Sequence, residues 1–308
     1  MRIDRRIVLR LAGTLLSIAC VVWIVKQFFE HGALQRLLEL DRRQCVLAAG
    51  SGALLYAGAV GLLALAWLHV QSAACARALP ALRLVRIYCV SQFAKYLPGN
   101  VGHYVGRHVW ARGHGIGHAA LLAAAVGEVG SLVFAAIAWS APLLDTHVRL
   151  PGWPQPGSAR WVWLGQFCTL ALAWLWLRRL SPASAWIAML RRMWPAIFWR
   201  MMPLHLLFFV LLGISLYYPA MVLGAPVEVL KVLPAAAAIS WLSGFLVLGA
   251  PAGIGVREVV FVAVMAGWMP ESDLLALAAI MRVVTFGGDL MAFAVASALR
   301  ASHPSTVP

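Results

Sequence analysis

Carboxylates are scarce in this chain. Eleven Asp and Glu stand against 25 Lys and Arg in 308 residues, and charged residues of both signs make up only 12%, about half the share usual in a soluble domain. None of the connecting segments is long enough to hold a soluble domain. Catalytic signatures are missing as well: there is no P-loop, no HExxH and no Ser/His/Asp arrangement, so ATP-driven transport or hydrolysis by this chain is not expected. The run Gly113-His114-Gly115-Ile116-Gly117 lacks a preceding strand and the glycine spacing of a dinucleotide site. The five cysteines form no CxxC pair and read as small apolar side chains. No cofactor and no metal are expected, and the chain is not expected to be an enzyme by itself.

Apolar residues are abundant: 62% of the chain is hydrophobic, with mean hydropathy +0.84. Runs at about 8–25, 46–69, 118–141, 161–177, 202–222 and 274–298 approach or reach the roughly 17–25 residues that a spanning helix needs. The expected fold class is therefore all-α integral membrane, with residues 1–308 as a single transmembrane domain. The net charge of +14 is assigned to arginine-rich loops facing anionic headgroups rather than to nucleic acid. At the N-terminus, Leu16-Ser17-Ile18-Ala19-Cys20 superficially resembles a lipoprotein signal. The apolar run continues past it, so a retained first helix is expected.

Two long segments are interrupted in the same way, by Pro98-Gly99-Asn100-Val101-Gly102 and by Pro251-Ala252-Gly253-Ile254-Gly255. Proline and glycine free backbone groups that hydrocarbon cannot satisfy, so such breaks belong where they line a polar cavity. The helix breaks are assigned to Pro98, Gly99 and Gly102 and to Pro251, Gly253 and Gly255. Reading both broken segments as re-entrant hairpins keeps the basic loops on one side, as the positive-inside rule requires. Both termini are then cytoplasmic. The chain divides into repeat 1 at about 1–141, a linker at 142–160 and repeat 2 at about 161–300, each reading helix, helix, broken hairpin, helix. With three full spans in each, the second repeat is inverted relative to the first, a plan that places transporter sites near the midplane.

Ionisable residues at membrane depth are functional candidates by default. Here they are Lys95, Arg107, Glu128, Arg257, Glu258 and Arg282, with Asp289 a weaker one. Arginine forks and the free amides of broken helix ends would suit a phosphate in a lipid headgroup. The structural alternative pairs Arg257 with Glu258 or another acid, and Glu128 with Arg282 across the pseudo-twofold. His103, His108, His114 and His118 gather with no carboxylate among them, which favours a solvated or headgroup-facing cluster over a metal site. Tryptophans such as Trp153, Trp161, Trp163, Trp194 and Trp199 read as interface anchors.

At these residues the chain resembles a known family. KYLPGNVGHYVGR and PAGIGVRE, with Glu128 in GEVGSLVF and Arg282 in a late helix, are similar to the lysylphosphatidylglycerol synthase transmembrane-region family, over about residues 10–300. The resemblance implies a flippase-like module that moves a lipid between leaflets of an inner membrane. The lipid would carry an anionic, phosphate-bearing headgroup: polyprenyl-linked, aminoacylated or of the hopanoid pathway. The family's synthases also carry a soluble aminoacyl-transferase domain, which is not found before Pro308, so lysine transfer is not expected. Asn100 and Ala252 depart mildly from the family pattern. Two alternatives stay open: the membrane subunit of a system with a separate lipid-modifying glycosyl- or aminoacyl-transferase, and a non-transporting lipid-binding factor.

Overall fold

The computed structural model describes residues 5–97, 101–143, 158–181, 184–247 and 249–299. Among them the regular structure is helical throughout, with no strand. In chain order the helices are α1 (Arg5–Glu30), α2 (Ala33–Glu39), α3 (Arg42–Cys75), α4 (Ala81–Gln92), α5 (Gly102–Arg112), α6 (His118–Ser140), α7 (Ser158–Arg179), α8 (Ala185–Ala196), α9 (Met202–Ile214), α10 (Tyr217–Val222), α11 (Val227–Leu246), α12 (Val256–Met265) and α13 (Glu271–Ala298). A π turn at Ile197–Met201, just after Pro195, joins α8 to α9. The wider turn lies between Pro195 and Pro203, neither of which has an amide hydrogen to continue the helical ladder.

Six stretches are long and apolar enough to cross a bilayer: Leu11–Glu30, Arg42–Cys75, His118–Ser140, Ala185–Val222, Val227–Leu246 and Glu271–Ala298. This is an all-α, multi-pass membrane protein. The expected span at 161–177 does form a helix, α7, but it is not one of the six. Trp161, Trp163, Trp174 and Trp176, with Gln166, make it less apolar. In its place α11 qualifies, although it reads from the sequence as one arm of a broken hairpin.

Connectivity shows what α11 does. Arg36 in α2 donates to Asp273 at the start of α13 at 2.5 Å and to the Leu223 carbonyl, just before α11, at 3.5 Å. One side chain thus marks both ends of the segment 224–272. The chain enters by the 20 residues of α11, turns, and returns by the ten of α12, so the segment is a hairpin with one long arm. The other hairpin has arms of 12 and 11 residues, α4 and α5, each about 16–18 Å long at 1.5 Å per residue, half the thickness of a bilayer core. Arg77, before α4, and Gly113 and His114, after α5, line one groove, so this hairpin starts and ends at one end of the bundle. That end is opposite the one marked by Arg36, because α3 runs from Arg42, near Arg36, to Cys75, near Arg77.

Packing repeats between the halves. The pairs α3–α4, α4–α5, α5–α6, α4–α13 and α3–α13 have the counterparts α9–α11, α11–α12, α12–α13, α11–α6 and α9–α6. At the middle α3 packs against α9. These contacts are close because small residues sit in them. A Cβ on Gly52 would lie 2.5 Å from the Ser215 carbonyl oxygen, and one on Gly288 would lie 2.6 Å from that of Ala53 and 2.7 Å from the Tyr56 ring. Carboxylates gather at one end: Glu30, Glu39, Asp41, Glu228, Glu271 and Asp273 lie at the Arg36 end, beside Lys26, Arg42, Arg43 and Lys231. Arg77, Arg83, Arg86, Arg112, Arg178, Arg179, Arg191, Arg192 and Arg200 lie at the other, which has no carboxylate among the described residues.

Gly288→Val is expected to separate α13 from α3 and to lower the thermal midpoint of detergent-solubilised protein by several degrees, since overpacking costs about 1–3 kcal/mol. Gly61→Ala, whose Cβ would meet nothing within 4 Å, serves as the control and leaves the midpoint in place. Equal midpoints for both variants would contradict this packing.

Candidate functional site

The two interruptions meet at the centre of the bundle. A 3-10 turn at Phe93–Tyr96 ends α4 and packs against a second turn at Pro251–Gly253. In the second interruption the chain passes through left-handed backbone at Ala252 (φ 49°), Gly253 (φ 68°) and Gly255 (φ 83°). Gly255 also lies against α1, where a Cβ would come within 2.7 Å of the Ser17 carbonyl oxygen. The freed backbone groups find partners: the Ser17 hydroxyl donates to the Ile254 carbonyl at 2.6 Å, and the Gly255 amide donates to the Glu258 carboxylate at 2.7 Å. In the first interruption Gly102 opens α5, and a Cβ there would lie 2.5 Å from the Ala94 carbonyl oxygen. Pro98 and Gly99 lie outside the described residues.

All six sequence-predicted charges converge on this centre. Lys95, Glu128 and Arg257 line one small cavity with Tyr56, His103 and Trp241. Arg257, Glu258 and Arg282 line an adjoining one that shares Tyr56 and Trp241. Arg107 stacks behind the first, its guanidinium 3.7 Å from the Tyr88 ring centroid and 5.4 Å from that of Trp67. The cavities measure about 40 and 10 Å³. A water needs about 10–15 Å³, so together they accommodate a few waters and no lipid headgroup.

Three ion pairs organise the charges. Arg107 of α5 donates to Glu128 of α6 at 2.6 Å, and the Tyr88 hydroxyl donates to the other carboxylate oxygen at 2.7 Å. Arg282 of α13 donates to Glu258 of α12, with its Nε at 2.7 Å. Lys95 donates to Asp289 at 2.8 Å, joined by the Tyr96 hydroxyl at 2.7 Å. The first two pairs are counterparts: each fastens the returning arm of a hairpin to the following helix, with the charges exchanged. The anticipated pairs Arg257–Glu258 and Glu128–Arg282 do not form. Glu258 is taken by Arg282 and the Gly255 amide, and Glu128 by Arg107. Pro98 and Pro251 are 153 residues apart, and the same offset carries Glu128 to Met281, one residue before Arg282; corresponding places in two repeats need not touch.

Arg257 is left over. Four cations share the centre with three carboxylates, and among the described residues no carboxylate pairs with Arg257. Its Nε is buried without a hydrogen-bond partner, and its guanidinium lies 5.8 Å from the Trp241 ring centroid. Gly244 and Gly253 leave room for its stem, since a Cβ on Gly253 would lie 2.7 Å from Nε and one on Gly244 would strike Cγ. The Ser240 hydroxyl anchors the Arg257 carbonyl at 2.7 Å. Arg107, equally a candidate from sequence, is 3% exposed and committed to Glu128. Sequence reasoning ranked Asp289 low and missed Tyr56, Tyr88, Tyr96 and Trp241. The available signal was a set of aromatics with a hydroxyl or an indole N–H at mid-helix or break positions, where an interface anchor has no use.

Of the four clustered histidines, His103 turns inward and is 7% exposed, with Nδ1 unpartnered. His108 and His118 face each other at the surface, Nε2 to Nδ1 at 2.8 Å, and His114 meets the Trp110 carbonyl at 2.9 Å.

Removing one partner of a buried pair leaves the other charge stranded, which costs about 3–5 kcal/mol, whereas replacing both by apolar groups restores much of it. Glu128→Leu is expected to destabilise strongly and Arg107→Met with Glu128→Leu to recover most of the loss, read as thermal midpoints in detergent. Additive losses in the double variant would contradict the pairing. Compared with known proteins, the chain matches no protein-family model and no curated protein.

Proposed function

We propose that this protein is a flippase-like membrane protein that moves a phosphate-bearing lipid headgroup between the leaflets of an inner membrane, in line with the family resemblance of its two interrupted motifs. The observation that carries this reading is Arg257, a half-buried cation without a carboxylate where the two interruptions touch, its Nε buried and unpartnered. Drawing an unpaired charge even partly out of water is costly. A site that keeps one, and makes room for its stem with two glycines, is suited to an anionic guest. Arginine's planar fork matches phosphate, and Tyr56, Trp241 and Lys95 border the same space.

The two hairpins enter from opposite ends, so a headgroup at their meeting point is within reach of both. The central cavity of about 40 Å³ corresponds to a closed state, and passage requires the hairpins to part. The pairs Arg107–Glu128 and Glu258–Arg282 would hold each returning arm to its neighbour while the gap between hairpins opens. In this reading the arginine-rich end and both termini are cytoplasmic, as the larger share of lysines and arginines at that end favours.

Proteoliposomes with a leaflet-resolved label on a phosphate-bearing lipid test the proposal. Arg257→Gln is expected to slow headgroup movement about tenfold or more, the loss of one charge-assisted phosphate contact, with little change in thermal midpoint. Arg257→Lys, which keeps the charge but not the fork, is expected to fall between. Movement at the wild-type rate in Arg257→Gln would sink the mechanism.

A further inference from the structure

The centre is the smaller of two places where cations gather without matching acids. We propose that the arginine-rich end carries a second, separate anion site that takes a phosphomonoester or diphosphate. It is a groove of about 720 Å³ between the start of α4 and the end of α5, reaching Ser297 of α13. Arg77, Arg83 and Arg86 line it together with Trp110 and His114, and no carboxylate does. Arg83 and Arg86 are half-buried. Among the described residues none of the three arginines makes an ion pair.

Solvated surface arginines ordinarily spread apart or meet acids. Three forks converging on one concavity raise its potential and concentrate anions there, and each can hold phosphate oxygens bidentately. The first turn of α4 adds to the effect, since Pro80 provides no side-chain cap and that turn holds no acid, leaving the positive end of the helix facing the same space. A neighbouring cavity of about 510 Å³ shares Arg77 and brings in Arg192 and Arg200, so the positive field continues past the groove. The volume lies within the range of about 300–1,000 Å³ usual for ligand sites, and more than one negative charge on the ligand would use the three forks best. Leu79, Ile87, Val90 and Trp110 supply an apolar wall, which suits a phosphate attached to hydrocarbon as well as a free one. This site stands apart from the reading of Arg257.

Binding to the full chain in nanodiscs tests it with two probes. Inorganic pyrophosphate, followed by calorimetry, represents a free phosphate compound. Phosphatidic acid, exchanged from phosphatidylcholine vesicles containing it and detected on the protein by native mass spectrometry, represents a lipid phosphate. Arg83→Gln with Arg86→Gln is expected to weaken whichever probe binds by about tenfold or more, in an Arg257→Gln background as in the wild type. Binding of pyrophosphate alone assigns a free phosphate, and retention of phosphatidic acid alone assigns a lipid. Should the double variant fail to fold, the exposed Arg77→Gln carries the same expectation. The proposal is overturned if neither probe binds, if the groove variants bind as wild type, or if Arg257→Gln abolishes the binding.

Discussion

An ionised side chain in hydrocarbon must be paired or hydrated, at a cost of about 2.5–3.5 kcal/mol on insertion scales if it is neither. That constraint orders the middle of this protein. Lys95, Arg107 and Arg282 each face one carboxylate, and the tyrosine hydroxyls of Tyr88 and Tyr96 take up remaining acceptor positions. The broken backbone obeys the same rule, with Ser17 and Glu258 answering the groups that the second interruption exposes. Glu258 therefore serves two masters, a helix N-terminus and a guanidinium. Neither bond reaches the adjacent Arg257, which makes no ion pair with it.

The halves satisfy one plan with exchanged charges. In the first half the returning arm carries the cation, Arg107, and the next helix the acid, Glu128. In the second half the arm carries the acid, Glu258, and the helix the cation, Arg282. Each pair holds an arm to its own half, so the surface between the halves is free of these strong bonds. Lys95–Asp289 crosses between the halves at the centre, from the first hairpin to the last helix, and Arg36–Asp273 crosses at the end of the bundle. Motion between the halves would be felt at these two pairs first.

Hydropathy made the class and most spans legible, because a bilayer imposes length and apolarity directly on the chain. It failed where composition and role part company. The tryptophans of α7 lower its apolarity, and Glu228 and Lys231 in the first turns of α11 hide where that helix begins. The interruptions were legible because proline and glycine carry backbone meaning in themselves, and Gly102, Gly253 and Gly255 stand where the chain turns or packs closely. Partners were not legible. Which carboxylate meets which cation depends on the angle at which each arm returns, and no spacing along the chain encodes that. Arg257 looked like one of several equivalent cations until its neighbours were seen to be spoken for.

The central claim is that Arg257 is held ready for an anion where the two hairpins meet. A structure of the protein with a short-chain, phosphate-bearing lipid tests it most directly. The account predicts the phosphate within hydrogen-bonding distance of the Arg257 guanidinium, between the Phe93–Tyr96 and Pro251–Gly253 turns. A phosphate bound elsewhere while Arg257 turns to a carboxylate would contradict it.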